Sequence, residues 1–400
     1  MKTVAIIGAG AAGIMASLNV KDEYKVILLD GNDKCGKKLL LTGNGRCNYW
    51  NEDISVDMYE TDSREKLSAV LLHSEKTLNC LERLGVYPKI KNGYYYPYSN
   101  QAASIREIFQ KKIAEKNIDF KPGFKVCSIV KNNNFFVIKS TNGEEIKADK
   151  VVIACGSKSY EKTGSDGSGY DIAKKLGHNI NKVHPALCSL ISSGKFLKEW
   201  EKIRLDAEVS LFADGRFVKK DLGEIQLTST GISGICTFNI SGAAAKNMSD
   251  GKHVEVKINF MPNLHGGFYN WIDNRCKMLG NVTLENTLES IFNYKLMFVL
   301  FKMAKVSKDD IWEYLSEDKK RKLCKTVEEF TVEILGTESF DKSQVCTGGV
   351  PLNEVNPETM ESLKQEGLYF AGEILDVDGR CGGYNLAFAF TSGYIAGSNI

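Results

Sequence analysis

Near the start of the chain the residues Gly8-Ala9-Gly10-Ala11-Ala12-Gly13, followed about twenty positions later by Asp30, have the types and spacing that hold a dinucleotide. A helix N-terminus presents unpaired N–H groups and the positive end of its dipole, so it stabilises a pyrophosphate that can reach the backbone. Glycine permits that approach. In this pattern Gly8 supplies the tight turn, Gly10 the close contact and Gly13 the packing of helix on strand, while Asp30 accepts bonds from ribose hydroxyls. Alone, the glycines could mark a tight turn and Asp30 a turn aspartate. Their context argues otherwise. The apolar run Val4 to Ile7 precedes the glycines, a helical stretch from Ile14 to about Asn19 follows them, and the run Lys25 to Leu29 ends at Asp30. This is a βαβ unit.

The fingerprint does not separate FAD from NAD, and three further stretches bear on that choice. Gly36 to Asn48 is a glycine-punctuated loop with cationic and amide donors that can close over phosphates and a flavin. Val151 to Gly156 is a buried strand leading into the flexible loop Thr163 to Gly169. Leu368 to Glu373, then Gly379 to Asn385, brings the chain back to the same ligand. Side chains in these stretches that could hand on a proton or anchor a substrate are Tyr384, Cys47, Arg380, Cys381 and Tyr160. Each has an ordinary reading as core or surface.

The elements that must position these groups follow from apolar spacing. Helical spacing covers Asp62 to Leu84 and Gln101 to Lys116, and a hairpin spans Lys125 to Lys139 around Asn132-Asn133-Asn134. From Ala186 to about Phe260 the pattern is one of short strands, including Ala207–Phe212, Phe217–Leu222 and Val254–Ile258. From Gly267 to Lys325 it is helical, with Trp271, Leu279, Leu284, Leu288, Ile291, Phe292, Leu296, Leu300 and Phe301 as core positions. A strand at Leu368–Phe370 and a final helix from about Asn385 complete the chain. With 52 basic and 50 acidic residues spread along the sequence, there is no electrostatic footprint of a nucleic-acid or membrane partner. No apolar run approaches the roughly 20 residues of a membrane span. The eleven cysteines form no CxxC pair and no Cys/His cluster, so neither a disulfide framework nor a metal site is expected. These features read as a cytoplasmic protein.

The pieces GAGAAG, TGNGRCN, ACGSKSYEKTGSDGSGYDIAKKLGH, TGGVPLNEVNPETMES and LYFAGEILDVDGRCGGYNLAFAFTSG, in this order, resemble the small FAD proteins that include aminoacetone oxidase and BaiN-type bile-acid reductases. The resemblance covers nearly the whole chain. It implies an α/β fold whose Rossmann-like FAD-binding domain (1–187 and 342–400) is built from both chain ends. Between them it implies a β-barrel-like substrate domain (188–260 and 326–341) carrying a small helical insert (261–325). Carried over by residue, Gly8, Ala9, Gly10, Ala12 and Gly13 would hold the pyrophosphate and Asp30 the adenosine ribose. Lys38, Thr42, Gly45, Arg46 and Cys47 would lie along the diphosphate and flavin, and Val126 beside the adenine. Ala154, Gly156 and Ser157 would touch the middle of the cofactor, and Gly372 and Glu373 its ribityl or phosphate region. Gly383, Tyr384 and Asn385 would offer backbone N–H groups to the flavin pyrimidine edge. Two positions depart from the family pattern: Asp30 stands where Glu is more usual, and Leu363 interrupts an expected Ser-Lys pair.

No second Rossmann fingerprint is present, so a dedicated nicotinamide domain is not expected. NADH or NADPH would act as a transient co-substrate for reduction of a small or steroid-like unsaturated compound. The alternatives are an amine oxidase using oxygen, a tRNA-modifying flavoprotein and a flavin redox sensor. Oligomeric state cannot be read from the sequence.

Overall fold

The computed structural model describes residues 1–280 and 282–400. Residues Met1–His184 and Phe340–Ile400 form one compact unit and Pro185–Ser339 a second. The first unit opens with β1 (Lys2–Ile7), whose Val4 to Ile6 are fully buried, then α1 (Ala11–Asn19) and β2 (Tyr24–Leu29). A short strand β3 (Trp50–Asn51) follows. The helical spacing over Asp62 to Leu84 is realised as two helices, α2 (Arg64–Leu71) and α3 (Ser74–Leu84). The break falls at Leu72, which is 77% exposed, so its apolar side chain extends the helical pattern without serving the core. The hairpin β4 (Pro88–Lys91) and β5 (Tyr94–Pro97) joins β3 in a three-stranded sheet with β5 central. Next come α4 (Ala102–Glu115) and β6 (Asp119–Lys121). The antiparallel strands β7 (Val126–Asn132), β8 (Phe135–Ser140) and β9 (Glu145–Ala148) lead to β10 (Lys150–Ile153) and α5 (Ser168–Lys175).

The second unit is a closed barrel built from β11 (Leu190–Ser192), β12 (Ile203–Ala213), β13 (Arg216–Thr228), β14 (Gly231–Ser233), β15 (Val254–Asn259) and β16 (Phe330–Thr337). Antiparallel pairing of β11 with β16 closes it, which satisfies both sheet edges. A helix that the sequence pattern did not show, α6 (Ile235–Ser249), packs against the barrel strands. Its buried positions mix Ile240 and Ala244 with Thr237, Asn239 and Ser241, so no apolar stripe marks it. The helices α7 (Gly267–Leu279), α8 (Leu284–Leu288), α9 (Tyr294–Ala304) and α10 (Glu317–Glu328) occupy the expected helical region. Leu284, Leu288, Phe292, Leu296, Leu300 and Phe301 are buried there. Leu279 is not: at the C-terminal end of α7, before the left-handed Gly280, it is 39% exposed.

Back in the first unit, β17 (Leu368–Phe370) completes a parallel sheet in the order β17-β10-β1-β2-β6. The last element, α11 (Tyr384–Ser398), packs on α1 at close range. A Cβ on Gly393 would lie 2.3 Å from the Ala12 carbonyl oxygen, and one on Gly397 2.3 Å from that of Ala16. Four-residue spacing of glycines on one helix and alanines on the other lets the two backbones touch. The returning segment is also held by a buried histidine. Ser362 Oγ accepts the Lys364 and Gln365 N–H groups, so its own proton goes to His178 Nε2 at 2.8 Å. That fixes His178 Nδ1–H toward Glu354 at 2.9 Å, with the ring edge against Phe370. No helix is long and apolar enough to cross a membrane among the described residues.

Candidate cofactor site

The strands of the parallel sheet end at one edge, and the residues singled out from sequence follow those ends. Gly8 comes after β1, Asp30 after β2, Ala154, Gly156 and Ser157 after β10, and Gly372 and Glu373 after β17. The carboxyl edge of an open parallel sheet is where this architecture binds ligands. Gly8 has φ +100°, and a Cβ there would stand 2.5 Å from the Ala154 carbonyl oxygen. A Cβ on Gly13 would fall 1.8 Å from the Gly8 carbonyl oxygen, and one on Gly372 2.8 Å from the Ala12 methyl. Gly8, Gly13 and Ala154 therefore meet, as do Ala12 and Gly372. Around Gly10 the protein leaves space: nothing lies within 4 Å of a Cβ built there. The N-terminus of α1 beside that space carries no side-chain cap. An uncapped helix start, bordered by glycines that the backbone itself requires, fits a pyrophosphate.

Asp30 does more than the sequence suggests. Its Oδ2 accepts the Ala9 N–H at 2.7 Å, and its Oδ1 accepts the Asn32 N–H at 2.7 Å and the Asn32 side-chain amide at 2.9 Å. The carboxylate thus ties the glycine turn to the next loop and leaves about one of its four acceptor positions unused. Val126 is buried at the start of β7, next to Lys125, whose Cβ is 3.3 Å from a Cβ position on Gly31. Lys125 pairs with Asp166 at 2.7 Å. Burial pushes the Asp166 carboxyl up, but Lys125 and the Ser168 N–H outweigh it and hold its pKa at about 2.

A second cluster joins residues far apart in sequence. Lys38 Nζ donates to Glu373 Oε2 at 2.7 Å and to Ser159 Oγ at 2.7 Å, while Ser157 Oγ donates to Glu373 Oε2 at 3.1 Å. Lys38, Ser157 and Glu373 were expected near the cofactor, and they meet. Ser159 was not singled out, and its only sequence signal is its alternation with Ser157 across Lys158.

The loop from Lys38 to Gly45 is a short helix broken at Thr42, Gly43 and Asn44. Thr42 Oγ donates to the Leu39 carbonyl at 2.7 Å, and the Thr42 carbonyl accepts the Cys47 N–H at 2.9 Å. Cys47 is fully buried, and burial pushes its thiol up to about 12, so it is packed as core. Gly45 and Arg46 are exposed, and the Arg46 guanidinium lies over the Tyr96 ring at 5.7 Å.

At the start of α11, Gly383 has φ +96°, and a Cβ there would come 2.5 Å from the Trp50 carbonyl oxygen. No side chain caps this helix either. Asn385 clamps Gly379 through both amide atoms at 2.8 and 2.7 Å. Two residues without any sequence signal shape the turn: Tyr59 Oη donates to the Tyr384 carbonyl at 3.0 Å, and Asn51 Nδ2 to the Gly382 carbonyl at 3.0 Å. Burial raises the Tyr384 phenol, with Asp53 and Tyr94 adding to the effect and the Arg380 charge opposing it. Arg380 and Cys381 are half-buried. Tyr160, which follows Ser159, is in a left-handed turn, and its carbonyl accepts the Thr163 hydroxyl at 2.7 Å. Among the described residues no group of His, Cys, Asp and Glu is arranged to hold a metal ion.

A family described as the HI0933-like protein Rossmann domain matches residues 2–399. The chain belongs to this family. As an HI0933-like protein it is an FAD-dependent oxidoreductase, and the sheet edge described above fits that cofactor. The HI0933-like chain is 35% identical over 407 residues to a 3-dehydro-bile acid delta(4,6)-reductase of Clostridium scindens, across 99% of this chain and 98% of that one. It is 27% identical over 400 residues to a ribosomal RNA dihydrouridine synthase of Escherichia coli, across 99% and 97% of the two chains. Among solved structures it is similar in fold to 3-ketosteroid delta1-dehydrogenase from Sterolibacterium denitrificans. There the TM-score is 0.51 at 12% identity, with 99% of each chain covered.

Proposed function

We propose that this protein reduces a carbon–carbon double bond conjugated with a carbonyl, in a small or steroid-like substrate, using FAD and NADH or NADPH. The observation that carries this reading is the whole-length likeness to the bile-acid reductase. When bound, FAD supplies the hydride transfer itself. The protein's part is to hold and to tune. The uncapped start of α1 would hold the pyrophosphate, with Asp30 at the ribose and the Lys38–Glu373–Ser157 cluster along the middle of the cofactor. The uncapped start of α11 would favour negative charge on the pyrimidine edge. Tyr384 and Arg380, at the turn before α11, are the candidates for delivering the proton; burial makes the Tyr384 phenol a weaker acid, which the Arg380 charge partly offsets.

Anaerobic addition of NADH and then NADPH to the flavin-loaded protein tests the reading. Bleaching of the flavin band, reversed by a 4,6-dien-3-one steroid, is the expected result. A flavin that neither nucleotide reduces would sink it and direct attention to amine donors with oxygen. The likeness to the dihydrouridine synthase favours a second acceptor, since uracil carries the same conjugated motif. Reoxidation by uridine-containing RNA in place of the steroid would establish that one.

A further inference from the structure

The hairpin of β4 and β5 carries a face to which, of the residues expected at the FAD, only Arg46 contributes. Side chains alternate across a strand, and directly opposed residues share a face. The register pairs Lys89 with Tyr96 and Lys91 with Tyr94, and the Tyr98 N–H to Tyr87 carbonyl bond at 2.9 Å extends it by one pair. One face therefore presents Tyr87, Lys89 and Lys91 beside Tyr98, Tyr96 and Tyr94. The other directs Tyr95 and Trp50 into the core. Tyr87 and Tyr98 are 71% and 65% exposed, with ring centroids 5.7 Å apart. Arg46 lies over Tyr96. Neither Lys89, Lys91 nor Arg46 makes an ion pair with any described residue. At its inner end the face meets the turn before α11, where a Cβ on Gly382 would come 3.0 Å from the Tyr94 ring.

We infer that this face is the docking surface for the reduced nicotinamide dinucleotide. The inference rests on the proposed use of NADH or NADPH. Tyrosine rings offer stacking surfaces to an adenine, and three cations without acidic partners complement its phosphates. The four-residue rise from Tyr94 to Tyr98 spans about 13 Å, on the order of an extended dinucleotide. The adenine end would lie on Tyr87 and Tyr98, the phosphates against Lys89, Lys91 and Arg46, and the nicotinamide toward the turn before α11. The chain needs such a surface because it has no second dinucleotide fingerprint.

The test is calorimetric titration of the flavin-loaded protein with NAD+ and NADP+, which bind without reducing it. The double variant Lys89→Glu/Lys91→Glu and the single variant Tyr98→Ala are compared with wild type. Lys111→Glu, an exposed cation of α4 outside the face, controls for overall charge. The expected result is binding weakened about tenfold or more in the double variant and less steeply dependent on salt, with Lys111→Glu unchanged. Equal affinity in wild type and the double variant overturns the inference, and so does absence of dinucleotide binding to wild type. It also falls if oligouridylate RNA, and not the dinucleotide, loses affinity in the variants. The two readings fail separately. A wild type that binds NAD+ through this face but is not reduced by NADH ends the reductase proposal alone. A half-saturating NADH concentration for flavin reduction that the double variant leaves unshifted ends the docking inference alone.

Discussion

A methyl group at Gly13 would sit 1.8 Å from the Gly8 carbonyl oxygen, whereas one at Gly10 would meet no atom within 4 Å. Gly13 is thus required by the protein itself, whereas nothing in the protein requires Gly10, three positions earlier, and we propose that the ligand does. Gly10 already has φ −85°, which alanine adopts without strain. Gly10→Ala should leave the melting temperature of the flavin-free protein within about 3 °C of wild type, corresponding to less than about 1 kcal/mol. It should nevertheless abolish retention of FAD through gel filtration. Gly13→Ala should lower both. Equal flavin retention by Gly10→Ala and wild type would mean that no phosphate comes to this helix start. The glycines and Asp30 are legible in sequence because their roles are local. The junction of Lys38 with Glu373 spans 335 positions, and nothing near either residue announces the other. Asp30 was legible as an acid at a strand end, but its bond to the Ala9 N–H depends on the turn geometry.

At the scale of elements, the returning segment is pinned by His178, Glu354 and Ser362, all buried. Burial lowers the His178 pKa and outweighs the attraction of Glu354, and the hydrogen bonds above also require a neutral ring. Glu354 is lowered as well: burial acts to raise it, but Lys364 and Asn179 prevail. Both groups bind protons more weakly folded than unfolded, so the stability they contribute is present above the unfolded values and lost on acidification. The urea midpoint should fall as pH drops below about 6.5, the unfolded histidine value, and fall further below about 4.5, where the unfolded glutamate takes up a proton and folded Glu354 does not. Ser362→Ala should cost about 1–2 kcal/mol at pH 7.5, measured by urea unfolding, because it leaves His178 Nε2 without its donor. A midpoint flat between pH 7.5 and 5.5 would contradict the assignment. Sequence periodicity shows elements that bury one stripe or one face, and α4, the hairpin of β7 and β8, and β17 were legible on that basis. It fails where burial has no period. In α6, small polar and apolar residues are buried together. The final helix α11 was legible from about Asn385, but the contact with α1 that the glycines at 393 and 397 permit was not. The barrel was implied by the family resemblance and not by periodicity, since β11 and β16, whose pairing closes it, lie far apart in sequence.

Over the whole molecule, each compact unit has its own hydrophobic core, and every residue assigned to the cofactor lies in Met1–His184 or Phe340–Ile400. Two domains with separate cores need not unfold together. Scanning calorimetry should therefore resolve two transitions, of which only one moves when FAD is added. That shift should correspond to about 2.7 kcal/mol at a hundredfold excess over Kd. Residues 185–339 expressed alone should unfold cooperatively at the temperature of the other transition, and a fragment that remains unfolded would refute the independence of the barrel. The position of β17 and α11 after the barrel in the chain has a further consequence, for biosynthesis. While the ribosome is still making residues 340–400, the barrel is complete but the glycine loop has neither the strand beyond β10 nor the helix that packs on α1. The nascent chain can thus mature one unit before the other is able to recruit its flavin, and loading of the cofactor becomes a late event in the life of the polypeptide.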